Sequence, residues 1–208
     1  MTELISASAG DAISRAADAL RRGEVVGIPT ETVYGLAVLP QAAPLERLLA
    51  IKRRATDKGI QLLVDSVDQA AALAVLTPAA EQLAAAYWPG GLTLVLERRA
   101  GVELPLLLGG GRPTLGIRLP DHSVPRRLAA LLGPLAASSA NISGQPAATN
   151  ATLVVASHGD ELALVLDDGD VRGGVASTVV DCTDPSSPRV LREGAIAAAA
   201  IFRLLGQD

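Results

Sequence analysis

The sequence predicts an α/β protein built on a twisted sheet of mixed parallel and antiparallel strands flanked by helices. Three observations predict it. Segments of helical periodicity and short apolar, β-branched runs are interspersed along all 208 residues. They do not alternate strictly, because the middle and end of the chain set strands side by side with no helix between them, unlike a purely parallel doubly wound sheet. Hydrophobic residues make up 49% of the chain, yet only Tyr34, Tyr87, Trp88 and Phe202 are aromatic. An ample core must therefore be packed from Ala, Val, Leu and Ile. The length suits one domain over 1–208, with its core over about 10–205.

Ile13, Ala16, Ala17 and Leu20 recur at helical spacing after Asp11, and Gly23 is a plausible stop. "EVVGI" (24–28) reads as a strand, "PLERLLAIK" (44–52) as a helix and "IQLLVD" (60–65) as a strand. Residues 67–75 and 78–87 read as helices, the second with Pro78 in its first turn. The turn "WPGG" leads into a strand over 92–97, and another strand covers 114–119 before a helix over 123–132. Strands at 134–138, 162–167, 177–182 and 189–193 and a helix over 195–205 complete the chain. "GVELPLLLGGGRPT" (101–114), with three consecutive glycines, reads as the one flexible stretch.

Composition excludes several classes. No apolar run reaches the roughly 18 residues of a membrane span, and the N-terminus lacks a secretory pattern, so a cytoplasmic protein is expected. The single cysteine, Cys182, precludes an internal disulfide and a cysteine zinc cluster; in "STVVDCTD" it reads as a small half-buried residue. The net charge of −4 argues against general nucleic-acid coating. Cations are nevertheless grouped, as Lys52, Arg53, Arg54 and Lys58, as Arg98 and Arg99, and as Arg126 and Arg127, and one cleft can focus positive potential. Neither the phosphate-loop pattern nor the dinucleotide fingerprint occurs. His122 and His158 lack metal-ligand spacing, and Asp167 and Asp168 adjoin in a way that points them apart.

Three stretches carry enough polar groups for chemistry. In "PTETVYG" a strand ends at Pro29 and hydroxyl and carboxylate groups follow, where ligands sit in α/β sheets; Thr30 or Thr32 reads equally as a ligand contact or as a helix cap. "IKRRATDKG" places Lys52 and Arg54 at a helix end, where cations cap the dipole. Four cations in seven residues exceed that need and suit phosphate oxygens. As long cations at a helix end they are expected outside the core. "SSANISGQPAATN" follows a strand with Ser138, Ser139, Asn141 and Ser143, either small ligand-bonding groups or an Asx and Ser turn.

Together with "YWPGGLTLVL", "LGIRLPDH", "GVASTVVDC" and "VLREGAI", and in the same order, these stretches resemble the YrdC/Sua5/TsaC family of threonylcarbamoyl-AMP synthases. The resemblance implies a YrdC-like fold with an open cationic cleft, in the short form without the C-terminal extension of Sua5-type members. It implies a nucleotidyltransferase that converts L-threonine, bicarbonate and ATP, with Mg2+, into threonylcarbamoyl-adenylate and pyrophosphate. The product serves the t6A37 modification of ANN-decoding tRNAs. The family's catalytic lysine, arginine, serine and asparagine fall on Lys52, Arg54, Ser139 and Asn141. Threonine-binding positions fall on Thr30, Arg118, Ser139 and Ser177. ATP-side positions fall on Lys52, Arg54, Lys58, Thr114, Asn141, Thr149 and Arg192. No side chain is assigned to Mg2+, which rests mainly on the ATP phosphates.

The chain departs from the usual "GVEST" near its end, with Ala176 in place of the glutamate. The rival reading is a YciO-like or RNA-binding paralogue without efficient synthase activity. A carbamoyl-transfer domain of a larger maturation protein is disfavoured because zinc-finger cysteines and extra length are missing. The charge balance and few aromatics imply weak or no direct tRNA binding, so the intermediate is expected to pass to separate t6A transfer proteins.

Overall fold

The computed structural model of the chain describes residues 2–53, 55–142, 144–171 and 173–206. The strands are β1 (Glu3–Ser6), β2 (Val26–Ile28), β3 (Gly35–Val38), β4 (Gln61–Leu63), β5 (Leu92–Glu97), β6 (Thr114–Arg118), β7 (Leu135–Ser139), β8 (Leu164–Asp167), β9 (Thr178–Asp181) and β10 (Arg189–Arg192). The helices are α1 (Ala12–Arg21), α2 (Ala42–Lys52), α3 (Val67–Leu73), α4 (Pro78–Tyr87), α5 (Ser123–Leu132), α6 (Ala151–His158) and α7 (Ala198–Leu204). The strands form one sheet in the order β1-β8-β2-β3-β7-β4-β6-β5-β9-β10. β1–β8, β2–β8, β4–β6 and β5–β9 pair parallel, and β2–β3, β3–β7, β4–β7, β5–β6 and β9–β10 antiparallel. The sheet is therefore mixed, as the neighbouring strands in the sequence imply.

Alternation along the strands builds two hydrophobic layers. On one face Val26, Ile28, Ala37, Leu63, Leu135, Ala137, Leu164 and Leu166 pack against α1 and α5. Those helices supply Ile13, Ala16, Ala17 and Leu20, and Val124, Leu128 and Ala129. The other face carries Leu36, Val38, Leu62, Ala136 and Val165, and also Leu92, Leu94, Leu96, Leu115, Ile117 and Val180. It is covered by buried residues of α2, α3, α4, α6 and α7, among them Leu45, Leu48, Leu83, Val154 and Ile201. Cys182 is wholly buried in this second layer. Burial and then Asp181 push its thiol up to about 12, so it is a small core residue rather than a nucleophile.

Three elements escape the sequence pattern. β1 is a short edge strand with only Ile5 buried, too brief to show a period. β3 begins at a glycine inside the polar "PTETVYG" segment, and only its antiparallel pairing with β2 and β7 makes it a strand. α6 is rich in β-branched residues that favour strands. It is helical because Asn150 Oδ1 accepts from Leu153 N at 2.9 Å and its inner residues face β8. The 101–114 stretch contains a 3-10 turn at Leu106–Gly109, and Ile60 N donates to Leu108 O at 2.8 Å. Gly110 there has φ 64°, and a Cβ on it would strike the Asp57 carbonyl. Glycine here therefore serves a close backbone approach.

α6 ends on His158, which is 3% exposed, and neither ring nitrogen finds a hydrogen-bond partner among the described residues. Burial, then repulsion from Lys52, holds its pKa below the ordinary 6.5, with Glu161 acting the other way. The folded chain holds the ring neutral to lower pH than the unfolded chain, which binds a proton below about pH 6.5. This contribution to stability is therefore complete above that pH and lost as pH falls below it. His158→Gln should flatten the loss of urea midpoint between about pH 7.5 and about pH 5.5. An equal acid loss in both proteins would refute the assignment.

Candidate active site

The α1–α5 layer covers only part of its face. Beyond it, β6, β5, β9 and the Gln61 end of β4 turn their second face to a cleft. The sequence shows why: in "LTLVLE" and "TLGIRL" the residues opposite the buried leucines and isoleucine are Thr93, Val95, Thr114, Gly116 and Arg118. These residues, with Gln61, Ala137, Ser139, Ser177 and Val179, line a cleft of about 300 Å³. Asp57, Arg112, Arg118 and Arg192 are its charged lining.

Arg118, at the end of β6, is 2% exposed. Its Nε donates to Gly90 O at 3.0 Å, and its Nη2 donates to Glu31 Oε1 at 2.7 Å and Thr32 Oγ1 at 2.8 Å. Those three bonds leave Nη1 without a partner among the described residues, on a side chain that lines the cleft. The 30–33 turn that delivers Glu31 and Thr32 is braced by Thr30. Its buried hydroxyl donates to Val33 O at 2.6 Å, accepts from Val33 N at 3.2 Å and lies 3.0 Å from Thr32 Oγ1. Tyr34 closes the segment: its hydroxyl donates to Gly169 O at 2.8 Å and accepts from Asp168 N at 3.0 Å. Burial, the larger cause, and the nearby aspartates push that phenol up to about 12. The polar density of "PTETVYG" thus goes largely into holding its own turn, with Thr32 and Glu31 as the groups that meet Arg118.

Lys52 ends α2, whose C-cap Arg53 adopts a left-handed backbone with φ 49°. Lys52 is 2% exposed, against the sequence expectation of a cation outside the core, and it is not among the cleft-lining residues. Its Nζ donates to the Ser139 carbonyl, to Asn141 O at 2.7 Å and to Asn141 Oδ1 at 3.4 Å. Ser139 Oγ donates to Asn141 Oδ1 at 2.6 Å, and Asn141 Nδ2 donates to Gln145 O at 2.6 Å. Lys52 thus anchors the chain leaving β7, where part-buried carbonyls take its protons. Of the four expected catalytic residues, Lys52, Ser139 and Asn141 are brought into one hydrogen-bonded group, and Ser139 reaches the cleft. Arg54 lies outside the described residues.

Ser177 is buried at the cleft edge, its Oγ 2.8 Å from Thr93 Oγ1, and Thr93 donates to Gln61 Oε1 at 2.8 Å. Arg192 donates through Nη2 to Ser177 O at 2.7 Å. The register beneath is held by wholly buried Thr178, whose Oγ1 donates to Ile196 O and accepts from Gly194 N and Ile196 N.

Of the other expected residues, Thr114 and Arg192 line the cleft. Lys58 is exposed between Asp57 and Gly59, which do line it. Thr149 sits beside the Asn150 cap and accepts from Val171 N at 2.8 Å. The sequence reading passed over Gln61, Thr93 and Arg112, and gave the Glu31 carboxylate no partner. A lone threonine on the polar face of "LTLVLE" is the one signal that could have marked Thr93.

Residues 18–194 match the Sua5_yciO_yrdC family, whose description reads "Telomere recombination". The threonylcarbamoyl-AMP synthase of Pyrococcus abyssi is 38% identical over 196 residues, covering 92% of this chain and 56% of that protein. The threonylcarbamoyl-AMP synthase of Vibrio cholerae serotype O1 is 38% identical over 188 residues, covering 88% and 97%. The crystal structure of P. abyssi Sua5 complexed with L-threonine is similar with a TM-score of 0.91 at 34% identity, covering 100% of this chain and 61% of that one. The chain therefore spans little more than half of the P. abyssi protein and nearly all of the V. cholerae one.

Proposed function

The chain belongs to the Sua5_yciO_yrdC family, and from that premise we propose that it is a threonylcarbamoyl-AMP synthase. As a nucleotidyltransferase it joins L-threonine, bicarbonate and ATP into threonylcarbamoyl-adenylate and releases pyrophosphate. The observation that carries this reading is buried Arg118 on the wall of the cleft, with Nη1 uncommitted and the Ser139 and Ser177 hydroxyls on the same lining. A guanidinium held this way forms a fork for a carboxylate, and small hydroxyls bond an amino acid without filling its space.

Threonine's amine attacks carbon dioxide from bicarbonate to give a carbamate. A carbamate oxygen then attacks the α-phosphorus, and the bond to the bridging oxygen breaks as pyrophosphate leaves. The protein's share is positioning and charge neutralisation. Arg192 and Arg112 on the cleft lining, with Thr114 and the cations Arg54 and Lys58, are the groups for the nucleotide. The cationic cleft is part of this proposal and is supported by Arg112, Arg118 and Arg192 on the lining. Lys52 acts by holding the Ser139–Asn141 turn, and Thr30 by bracing the turn that carries Thr32. Thr149 belongs to the nucleotide side by resemblance alone. In this proposal Mg2+ rides on the ATP phosphates, where it shares their charge.

The adenylate passes to separate t6A transfer proteins. In support of weak tRNA contact, Tyr34 and Trp88 are buried and Tyr87 and Phe202 partly so, leaving no stacking platform among them. No helix among the described residues is long and apolar enough to cross a membrane. The test is pyrophosphate release from Mg2+–ATP, which should require threonine and bicarbonate together. Release that is indifferent to threonine, or no release at all, would favour a YciO-like role instead.

A further inference from the structure

We infer that Glu31 is the receiver for the substrate's ammonium group, so that Arg118 and Glu31 together read an α-amino-acid zwitterion. This inference rests on the proposed threonine site. Its starting point is an atom without a partner: Glu31 Oε2 is buried and accepts no hydrogen bond among the described residues, while Oε1 takes Arg118 Nη2 at 2.7 Å. A buried carboxylate oxygen with no donor is costly, and a ligand cation relieves that cost.

The placement fits one ligand chemistry. Carboxylate and ammonium share a carbon in an α-amino acid, so a ligand carboxylate on Arg118 Nη1 sets its ammonium close to the carboxylate already paired with that guanidinium. The charges then alternate from Arg118 to the ligand carboxylate and from the ligand ammonium to Glu31. The Glu31 side chain is 24% exposed, and the terminal carboxylate torsion is broad and roughly two-fold. Glu31 stands behind Arg118 and is not itself among the cleft-lining residues, so Oε2 meets the ligand by turning about that torsion. Thr32 Oγ1 at 2.8 Å holds Arg118 Nη2 from the other side, so the guanidinium keeps its plane as the ligand arrives.

The test uses calorimetric titration of the whole chain with L-threonine and with 2,3-dihydroxybutanoate, which replaces the ammonium by a hydroxyl. The wild-type chain should prefer threonine by about 10- to 100-fold, the range of a hydrogen bond to a charged group. Glu31→Gln keeps an acceptor for Arg118 and should lose that preference, weakening threonine while leaving the hydroxy acid unchanged. Equal weakening of both ligands would mean that Glu31 merely holds Arg118, and the inference fails. It fails equally if wild-type protein binds the two ligands alike, a comparison that needs no variant to fold. No binding of threonine to the wild-type chain would overturn the proposed function along with it.

Discussion

Replacing Arg118 with alanine is expected to cost the chain roughly 3 kcal/mol of stability and to weaken L-threonine binding by at least about 100-fold. The guanidinium is 2% exposed and serves the Gly90 carbonyl, Thr32 and Glu31 at once. Deleting it leaves the Glu31 carboxylate unpaired, and breaking a buried pair from one side costs about 3–5 kcal/mol. The lower end applies because Glu31 keeps a quarter of its exposure. Urea unfolding measures the loss, and the double variant Arg118→Met, Glu31→Gln separates its causes. Removing both charges should recover part of the stability and none of the threonine affinity. An Arg118→Ala protein that unfolds like wild type would show that the pair carries no such cost.

The second large effect is expected at Lys52. Lys52→Met keeps much of the side-chain volume but removes the donor from the carbonyls of Ser139 and Asn141 and from Asn141 Oδ1. Leaving buried acceptors unsatisfied costs about 1–3 kcal/mol each, partly offset here because Asn141 N also donates to Ser139 O at 3.0 Å. A net loss of about 3 kcal/mol corresponds to a fall in Tm of about 6–12 °C for a chain of this size. Activity should fall even below the melting range, because Ser139 loses its fixed place on the cleft wall. Differential scanning calorimetry with turnover assays at low temperature decides it. A variant that melts normally but is inactive would return Lys52 to direct phosphate contact, with no anchoring role.

Local pattern carried much of the fold. Residues 78–87, 92–97 and 123–132 are α4, β5 and α5 with the boundaries their periodicity predicts, because each holds one clean apolar face. β3 and α6 were not legible, since their residues favour no single state and only pairing with β7 or packing on β8 decides them. The cleft was half legible. Arg118, Ser139, Ser177, Thr114 and Arg192 were expected from the ordered segments and line it. Gln61 and Thr93 gave no comparable signal, for a polar residue on a strand reads as solvent-facing until the missing helix layer turns that face into a site.

By itself, then, the sequence determined the mixed α/β architecture, the aliphatic core and the segments from which the site is drawn, because those rest on spacing over a few residues. The tertiary structure alone decided that Lys52 is buried, that Thr30 serves its own turn, and that Glu31 meets Arg118. These depend on partners 87 residues apart for both Lys52–Ser139 and Glu31–Arg118. No periodicity links such positions. They are joined only when the sheet order sets β3, β7, β4 and β6 side by side and the α1–α5 layer stops short of the strands that form the cleft.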